Sequence, residues 1–215
     1  MSRVYLDHNA TTPLRAQARA AMLAAMDVAG NPSSVHGEGR AARALVERAR
    51  GQLAAALGCT ANEVVFTSGA TEAASVLAGG AEVDECAHEC LWVHHMPGAA
   101  LKAKGYANNE TGLIDDSDGA NLVDIVQAVG KVPFSFAWSG ADMAIVSAHK
   151  FGGPKGVGAL ILRDGVDIAP LAKGGGQEQS RALRISLGLE TTETDIARFC
   201  DAWLAEYARH KARAA

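Results

Sequence analysis

A lysine, a strand-to-helix junction, a carboxylate set among apolar residues and an isolated guanidinium are the groups in this chain best suited to chemistry. The lysine lies in Ser147-Ala148-His149-Lys150, followed by Phe151-Gly152-Gly153-Pro154-Lys155-Gly156. An amine with an imidazole beside it, a hydroxyl three residues before it and glycines after it suits a fixed site. Burial or a nearby cation there keeps part of it neutral, as a Schiff base requires. A solvated turn lysine satisfies the same local residues. The junction is Ser68-Gly69-Ala70-Thr71-Glu72, where free backbone N–H groups, the helix dipole and two hydroxyls can hold an anion. A plain capped helix start, with Thr67 or Ser68 as cap and Glu72 in the first turn, is the other reading. Asp124 and Gln127 sit in Leu122-Val123-Asp124-Ile125-Val126-Gln127, and a buried charge needs a partner. Arg184 interrupts Ala182-Leu183-Arg184-Ile185-Ser186-Leu187 and is suited to gripping a carboxylate through two hydrogen bonds.

The elements that must position these groups follow from periodicity and turn residues. Apolar runs over 141–146 and 157–162 are strands joined by a Gly/Pro turn, which puts Lys150 at a strand end. Residues 63–67 form another strand, running directly into a helix. Before it come an Ala-rich amphipathic helix over 14–28, closed by Gly30, a loop over 31–37, and a second helix through 41–57. The polar loop 7–13 carries more Asn, His and Thr than a connector needs. Residues 79–105 show no dominant period. Near the end, Thr191-Thr192-Glu193-Thr194-Asp195 has N-cap character, and Ile196, Phe199, Trp203 and Tyr207 recur at helical spacing, which predicts a packed terminal helix with Cys200 buried beside the stripe. The pattern as a whole predicts an α/β fold, a mainly parallel sheet flanked by helices.

Composition narrows the function classes. With 215 residues, 48% hydrophobic and 20% charged, the chain can bury a real core, and its formal net charge of -4 comes without a basic stripe for nucleic acid. No apolar run has membrane-spanning length and the start lacks a signal-peptide core, so the expected compartment is the cytoplasm and no membrane partner is expected. Cys59, Cys86, Cys90 and Cys200 are scattered, as in a reducing compartment. Cys86, His88, Cys90, His94 and His95 match no standard zinc spacing, so no metal is expected. Gly152-Gly153-Pro154-Lys155-Gly156 is not read as a nucleotide loop, because such a loop opens a helix and here a strand follows.

A Schiff-base lysine, a phosphate-binding helix start, a buried aspartate and a carboxylate-gripping arginine converge on pyridoxal 5'-phosphate chemistry. The sequence also resembles the class V aminotransferases, specifically the cysteine desulfurases, which take sulfur from L-cysteine and leave alanine. The resemblance lies in Tyr5-Leu6-Asp7-His8-Asn9-Ala10-Thr11-Thr12-Pro13, Gly30-Asn31-Pro32-Ser33-Ser34-Val35-His36, Phe66-Thr67-Ser68-Gly69-Ala70-Thr71-Glu72-Ala73, Asn108-Asn109-Glu110-Thr111-Gly112, Val123-Asp124 with Gln127, and Ser147-Ala148-His149-Lys150, in that order. It implies the aspartate aminotransferase-type fold, with a large cofactor-binding domain over 31–173 and a reduced small domain from 1–30 and 174–215. It further implies that Lys150 forms the Schiff base and Asp124 pairs with the ring nitrogen, with Asn109 and Gln127 near the ring's oxygen substituent. Ala70, Thr71, Ser147 and His149 would hold the phosphate. His88 would stack on the ring, although Ala87 stands where the family has glutamate. Arg184, helped by Asn31, would bind the substrate carboxylate.

The departures are as specific as the matches. Relative to the family, material is missing between Thr71 and Asn109, the helix before Asp124 is absent, and the span after Gly174-Gly175-Gly176-Gln177-Glu178 is skipped. That last span carries the family's sulfur-accepting cysteine loop and a threonine that reaches a neighbouring subunit's phosphate. A desulfurase passes sulfur to a thiolate, and Cys86 and Cys90 are the candidates left to stand in. The expectations are therefore a homodimer acting on L-cysteine or a related amino acid, serving iron-sulfur cluster assembly through a sulfur-acceptor protein. The alternative is an inactive or impaired member that binds the cofactor or acts as a scaffold.

Overall fold

The computed structural model describes residues 4–87, 89–169 and 188–214. The chain divides into two compact units, Met1–Gly176 and Gln177–Ala215. The first contains a six-stranded sheet in the order β1-β6-β5-β4-β3-β2, formed by β1 (Val64–Thr67), β2 (Glu82–Val83), β3 (Lys102–Gly105), β4 (Leu122–Asp124), β5 (Met143–Ser147) and β6 (Gly158–Leu162). The β2-β3, β3-β4 and β4-β5 pairings are parallel, and β6 runs antiparallel to both β5 and β1. The sheet is thus mixed, with its parallel majority on the β2 side and its one reversed strand placed by the turn that bears Lys150.

Every residue of β5 is buried, as its unbroken apolar run demands of a strand covered on both faces. Alternation along the strands divides the core in two. Met143, Ile145, Leu122 and Leu160 pack with Ala73, Leu77 and Leu91 on one face. Ala144, Val146, Val123 and Ile161 pack with Ala54, Leu57 and Phe136 on the other. The covering elements on the first face are α3 (Ala70–Ala74) and α4 (Glu89–Trp92). On the second they are α2 (Gly37–Leu57) and the short α5 (Phe136–Ser139). Both long helices expected near the start are present, the first as α1 (Ala16–Met26), which has no buried residue.

Between β3 and β4 the parallel crossover, ordinarily filled by a helix, contains none. Residues 106–121 cross as a loop pinned by a bridge between Ala107 and Ile114, and Leu113 and Ile114 are left exposed. The absent helix is the one the family pattern lacked in the sequence.

The described part of the second unit is a turn and α6 (Glu193–Ala214). Thr192 and Asp195 cap it reciprocally: Thr192 N–H and Oγ1 donate to Asp195 Oδ2 at 3.0 and 2.7 Å, and Asp195 N–H donates to Thr192 Oγ1 at 3.3 Å. The expected packing of its stripe is corrected. Phe199, Trp203 and Tyr207 stack on one another, yet Ile196, Trp203 and Tyr207 are 40%, 47% and 54% exposed, and Cys200 is exposed rather than buried. A lone helix cannot cover its own apolar face, and no second element stands beside α6 among the described residues of its unit. No described helix is long and apolar enough to cross a membrane, and no described group of three or more His, Cys, Asp or Glu side chains could hold a metal ion.

Candidate functional site

The turn after β5 is held from two sides. Its own ends are tied by Ala148 N–H to Val157 O at 3.0 Å and Gly153 N–H to Ala148 O at 2.9 Å. The N-terminal loop then lies across it. Thr12 N–H donates to His149 O at 2.8 Å, Thr12 Oγ1 to Lys150 O at 2.8 Å, and Arg15 N–H to Gly152 O at 2.9 Å. In return Lys150 Nζ donates to the main-chain oxygens of Asn9 and Ala10, at 2.8 and 3.1 Å. The lysine is half-buried with its ammonium directed at two carbonyls, not projecting into solvent. His149 Nδ1 lies 3.1 Å from Thr11 Oγ1. Burial, then the charges of Lys150 and Lys155, push the His149 imidazole below its usual pKa, so it is neutral at physiological pH.

A cavity of about 580 Å³ opens on this turn, within the size range of small-molecule sites. Five residues selected from the sequence, Ala70, Thr71, Ser147, His149 and Lys150, line it together. Asp124 lies behind its wall, only 4% exposed. Its Oδ1 accepts from Val126 N–H at 2.8 Å, and Cys90 Sγ donates to Oδ2 at 3.7 Å, Val126 and Cys90 themselves being lining residues. Gln127 is buried beside it, with Nε2 donating to Asn9 O at 2.9 Å and Oε1 accepting from Lys131 Nζ. Asn109 joins from a neighbouring cavity of about 420 Å³ that shares Ala10 and Lys150 with the first; its main-chain oxygen accepts from Asn9 Nδ2 at 2.9 Å. Asn31 lines neither cavity. It is exposed, and its Oδ1 accepts from Ser33 N–H at 2.9 Å within its own loop. His88 and Arg184 lie outside the described residues.

Sequence reasoning missed Asn9, Ala10, Thr11, Lys131 and Lys155. Ala10, Thr11 and Lys155 line the first cavity, and Asn9 binds Lys150, Gln127, Lys131 and Asn109 at once. The density of polar residues over 7–13 was the available signal.

The donor set suits a phosphorylated pyridine aldehyde. A side chain added at Gly69 would meet nothing within 4 Å, so the start of α3 leaves room at the cavity. A Cβ on Gly158 would stand 2.6 Å from Gly69 Cα, so the bare glycine of β6 is what lets that start pack so closely. Thr71 and Ser147 hydroxyls with Lys155 provide donors and positive charge for a phosphate, and Lys150 provides an amine for an aldehyde. Glu72 is the opposing charge, and its Oε2 is engaged by Ser68 N–H and Oγ at 2.7 and 2.6 Å.

The thiols near the site are not activated. Burial and then the Asp124 carboxylate push Cys90 up to about 12, and burial followed by Asp84 and Asp115 raises Cys86. Both are protonated at neutral pH, the form that does not attack sulfur.

A family model described as Aminotransferase class-V matches residues 4–93 and 101–191. A cysteine desulfurase of Cereibacter sphaeroides is 38% identical over 232 residues, covering 83% of this chain and 60% of that relative. The chain thus spans about 60% of the length of that curated relative. Among solved structures, a NifS-like protein superposes with a TM-score of 0.75 at 31% identity, covering 82% of this chain and 63% of the other. SspA in complex with cysteine superposes at 0.73 with 25% identity, covering 81% and 66%.

Proposed function

The chain belongs to the class-V aminotransferase family, and from that membership we propose that it binds pyridoxal 5'-phosphate and removes sulfur from L-cysteine or a related amino acid. The observation that carries this reading is the shared cavity: Lys150, His149, Ser147, Thr71 and Ala70 line it, with the Asp124 carboxylate behind its wall. When bound, pyridoxal phosphate supplies the electron sink for chemistry at the substrate's α-carbon. Lys150, bonded here to the carbonyls of Asn9 and Ala10, would be the residue whose amine holds the cofactor's aldehyde. Asp124 holds a proton at the ring nitrogen, and Gln127 and Asn109 serve the ring's oxygen substituent. Thr71, Ser147 and His149, with the backbone at Ala70, hold the phosphate. His88, stacked on the ring, and Arg184 with Asn31, on the substrate carboxylate, complete the assignment by resemblance to the family.

Desulfuration breaks the substrate's C–S bond and makes an S–S bond on an accepting thiolate, so cysteine and a thiol become alanine and a persulfide. Cys90 and Cys86 are poor acceptors, because both are held protonated. The accepting thiol on this reading belongs to another molecule, a sulfur-acceptor protein, as iron-sulfur cluster assembly uses. The protein works in the cytoplasm as a homodimer, and the exposed Leu23 and Met26 of α1 are side chains that pairing would cover. SspA, solved with cysteine, lends the substrate class its support.

The protein should develop a visible absorbance band with added pyridoxal phosphate that borohydride fixes and Lys150→Ala abolishes. Alanine should form from L-cysteine, and faster when a second thiol such as dithiothreitol is supplied. A folded protein that stays colourless overturns the reading. The span skipped after Glu178, where the family carries its cysteine loop, and the short β3-β2 edge favour a second reading, a member of the family that binds the cofactor without turnover. A band without alanine release at any thiol concentration would select it.

A further inference from the structure

Gln127 and Lys131 lie in the succession of turns that follows β4, on either side of Gly130. Val129 N–H donates to Ile125 O at 3.1 Å, Lys131 and Val132 N–H donate to Ala128 O at 2.9 Å each, and Gly130 takes φ 73° within the turns. The left-handed Gly130 turns the chain back so that the two side chains meet, and the exposed Lys131 reaches the buried Gln127 with its ammonium. There it donates to Gln127 Oε1 and, at 3.1 Å, to Asn9 Oδ1.

We propose that Lys131 is a positioning residue that fixes which end of the Gln127 amide faces Asn9 and, through Asn9, where the Lys150 amine is held. The amide has two orientations that differ only in which atom lies where. As observed, Oε1 meets the ammonium and Nε2 meets Asn9 O at 2.9 Å. Reversed, an N–H₂ would face the Lys131 cation and an oxygen would face the Asn9 carbonyl, so both contacts would turn repulsive. Gln127 is therefore locked as a donor toward the N-terminal loop.

The same ammonium fixes Asn9 through its side-chain oxygen, which leaves Nδ2 for Asn109 O and the main-chain oxygen for Lys150 Nζ at 2.8 Å. Burial, then the charge of Lys150, lowers the pKa of Lys131, consistent with an amine drawn in toward a second one. Lys131 lines neither cavity, and it acts through its contacts with Gln127 and Asn9.

The effect on cofactor binding rests on the reading that this cavity takes pyridoxal phosphate. The effect on the loop does not. Lys131→Met should speed hydrogen exchange at the Thr12 and Arg15 amides by about tenfold in the cofactor-free protein, the size expected for losing a charge-assisted hydrogen bond and leaving Oε1 unpaired. Lys131→Arg, which keeps charge and donors for both acceptors, should restore slow exchange. In the loaded protein Lys131→Met should weaken pyridoxal phosphate and unphosphorylated pyridoxal by similar factors, since the phosphate is not what Lys131 serves.

Unchanged exchange in Lys131→Met, or exchange in Lys131→Arg as fast as in Lys131→Met, overturns the proposal. A loss confined to the phosphorylated ligand also overturns it, because that would make Lys131 a phosphate contact. If the wild type takes up no cofactor, the functional reading fails, while the exchange measurement still decides the role of Lys131.

Discussion

The β1-β6-β5-β4 side of the sheet and its β3-β2 side are built to different standards. On the first, β5 and β4 are buried throughout, and Gln127 and Glu63, both buried, are hydrogen-bonded. On the second, β2 is two residues long, the crossover into β4 has no helix, Leu113 and Ile114 stand exposed, and the buried Asp84 Oδ2 has no hydrogen-bond partner among the described residues. Every cavity residue contributed by a strand or by the turn after β5 belongs to the first side. An outer strand can lose its cover without disturbing the ladder inward of it, so this edge is where a shortened chain keeps its centre intact.

The largest expected contrast is in packing. Ile145 of β5 is fully buried, so Ile145→Ala should cost about 2–5 kcal/mol. Leu113, 67% exposed in the crossover, should change stability by no more than about 0.5 kcal/mol when cut to alanine. Denaturant unfolding of both variants measures the difference. Equal losses would mean the crossover is covered in solution and the two sides are alike.

A smaller effect probes the seam between the intact side and the cavity. In Gly158→Ala the new Cβ would lie 2.6 Å from Gly69 Cα and 2.7 Å from Val146 O, both backbone atoms that cannot swing away. A cost of about 1–3 kcal/mol is expected. The start of α3 should shift with it, so pyridoxal phosphate affinity should fall more than pyridoxal affinity. A stability loss with both affinities unchanged would separate the packing of β6 from the anion-holding end of the cavity.

How much of this was readable beforehand follows the range of each interaction. The paired strands around Lys150 were legible, because two apolar runs and a Gly/Pro turn specify an antiparallel pairing locally. So were the α3 junction and the buried Asp124. The role of the 7–13 loop was not, since Thr12 meets Lys150 across 138 positions and polarity does not name a partner. Lys131 was not legible either, since its contacts with Gln127 and Asn9 depend on the left-handed turn at Gly130 and on a loop 122 positions away. The stripe on α6 shows a different limit. Periodicity states that a face is apolar, not that anything covers it, and the inference of burial for Trp203, Tyr207 and Cys200 failed on that distinction. Residues 79–105 resisted reading because β2, α4 and β3 are each four residues or fewer, too short for a period to emerge.

The smallest effects carry opposite signs, which makes them the sharpest comparison of the two sides. Glu63, just ahead of β1, accepts from Thr60 N–H at 2.7 Å and Thr60 Oγ1 at 3.0 Å, and these bonds hold its carboxyl below its ordinary 4.5. Its folded state releases the proton more readily than the unfolded chain. The stability it contributes is therefore present above pH 4.5 and is lost as pH falls through the lowered folded value. Glu63→Gln should cost about 0.5–1.5 kcal/mol at neutral pH and remove that dependence.

Asp84, on the β3-β2 side, is raised above its ordinary 3.8, chiefly by burial and also by Asp115, with Gly105 N–H at 3.1 Å as a partial offset. Here the folded state binds the proton more tightly. Its charged form costs stability above the raised value, and that cost disappears as pH falls toward 3.8. Asp84→Asn keeps an oxygen for Gly105 N–H and removes the charge, so it should stabilise the neutral protein by up to about 1 kcal/mol and flatten the acid-side gain. Thermal melts of both variants between pH 3 and 7, each subtracted from the wild type, should therefore slope in opposite directions. Parallel slopes would mean that Asp84 has found a partner in solution, and that the shortened edge is as well satisfied as the centre it protects.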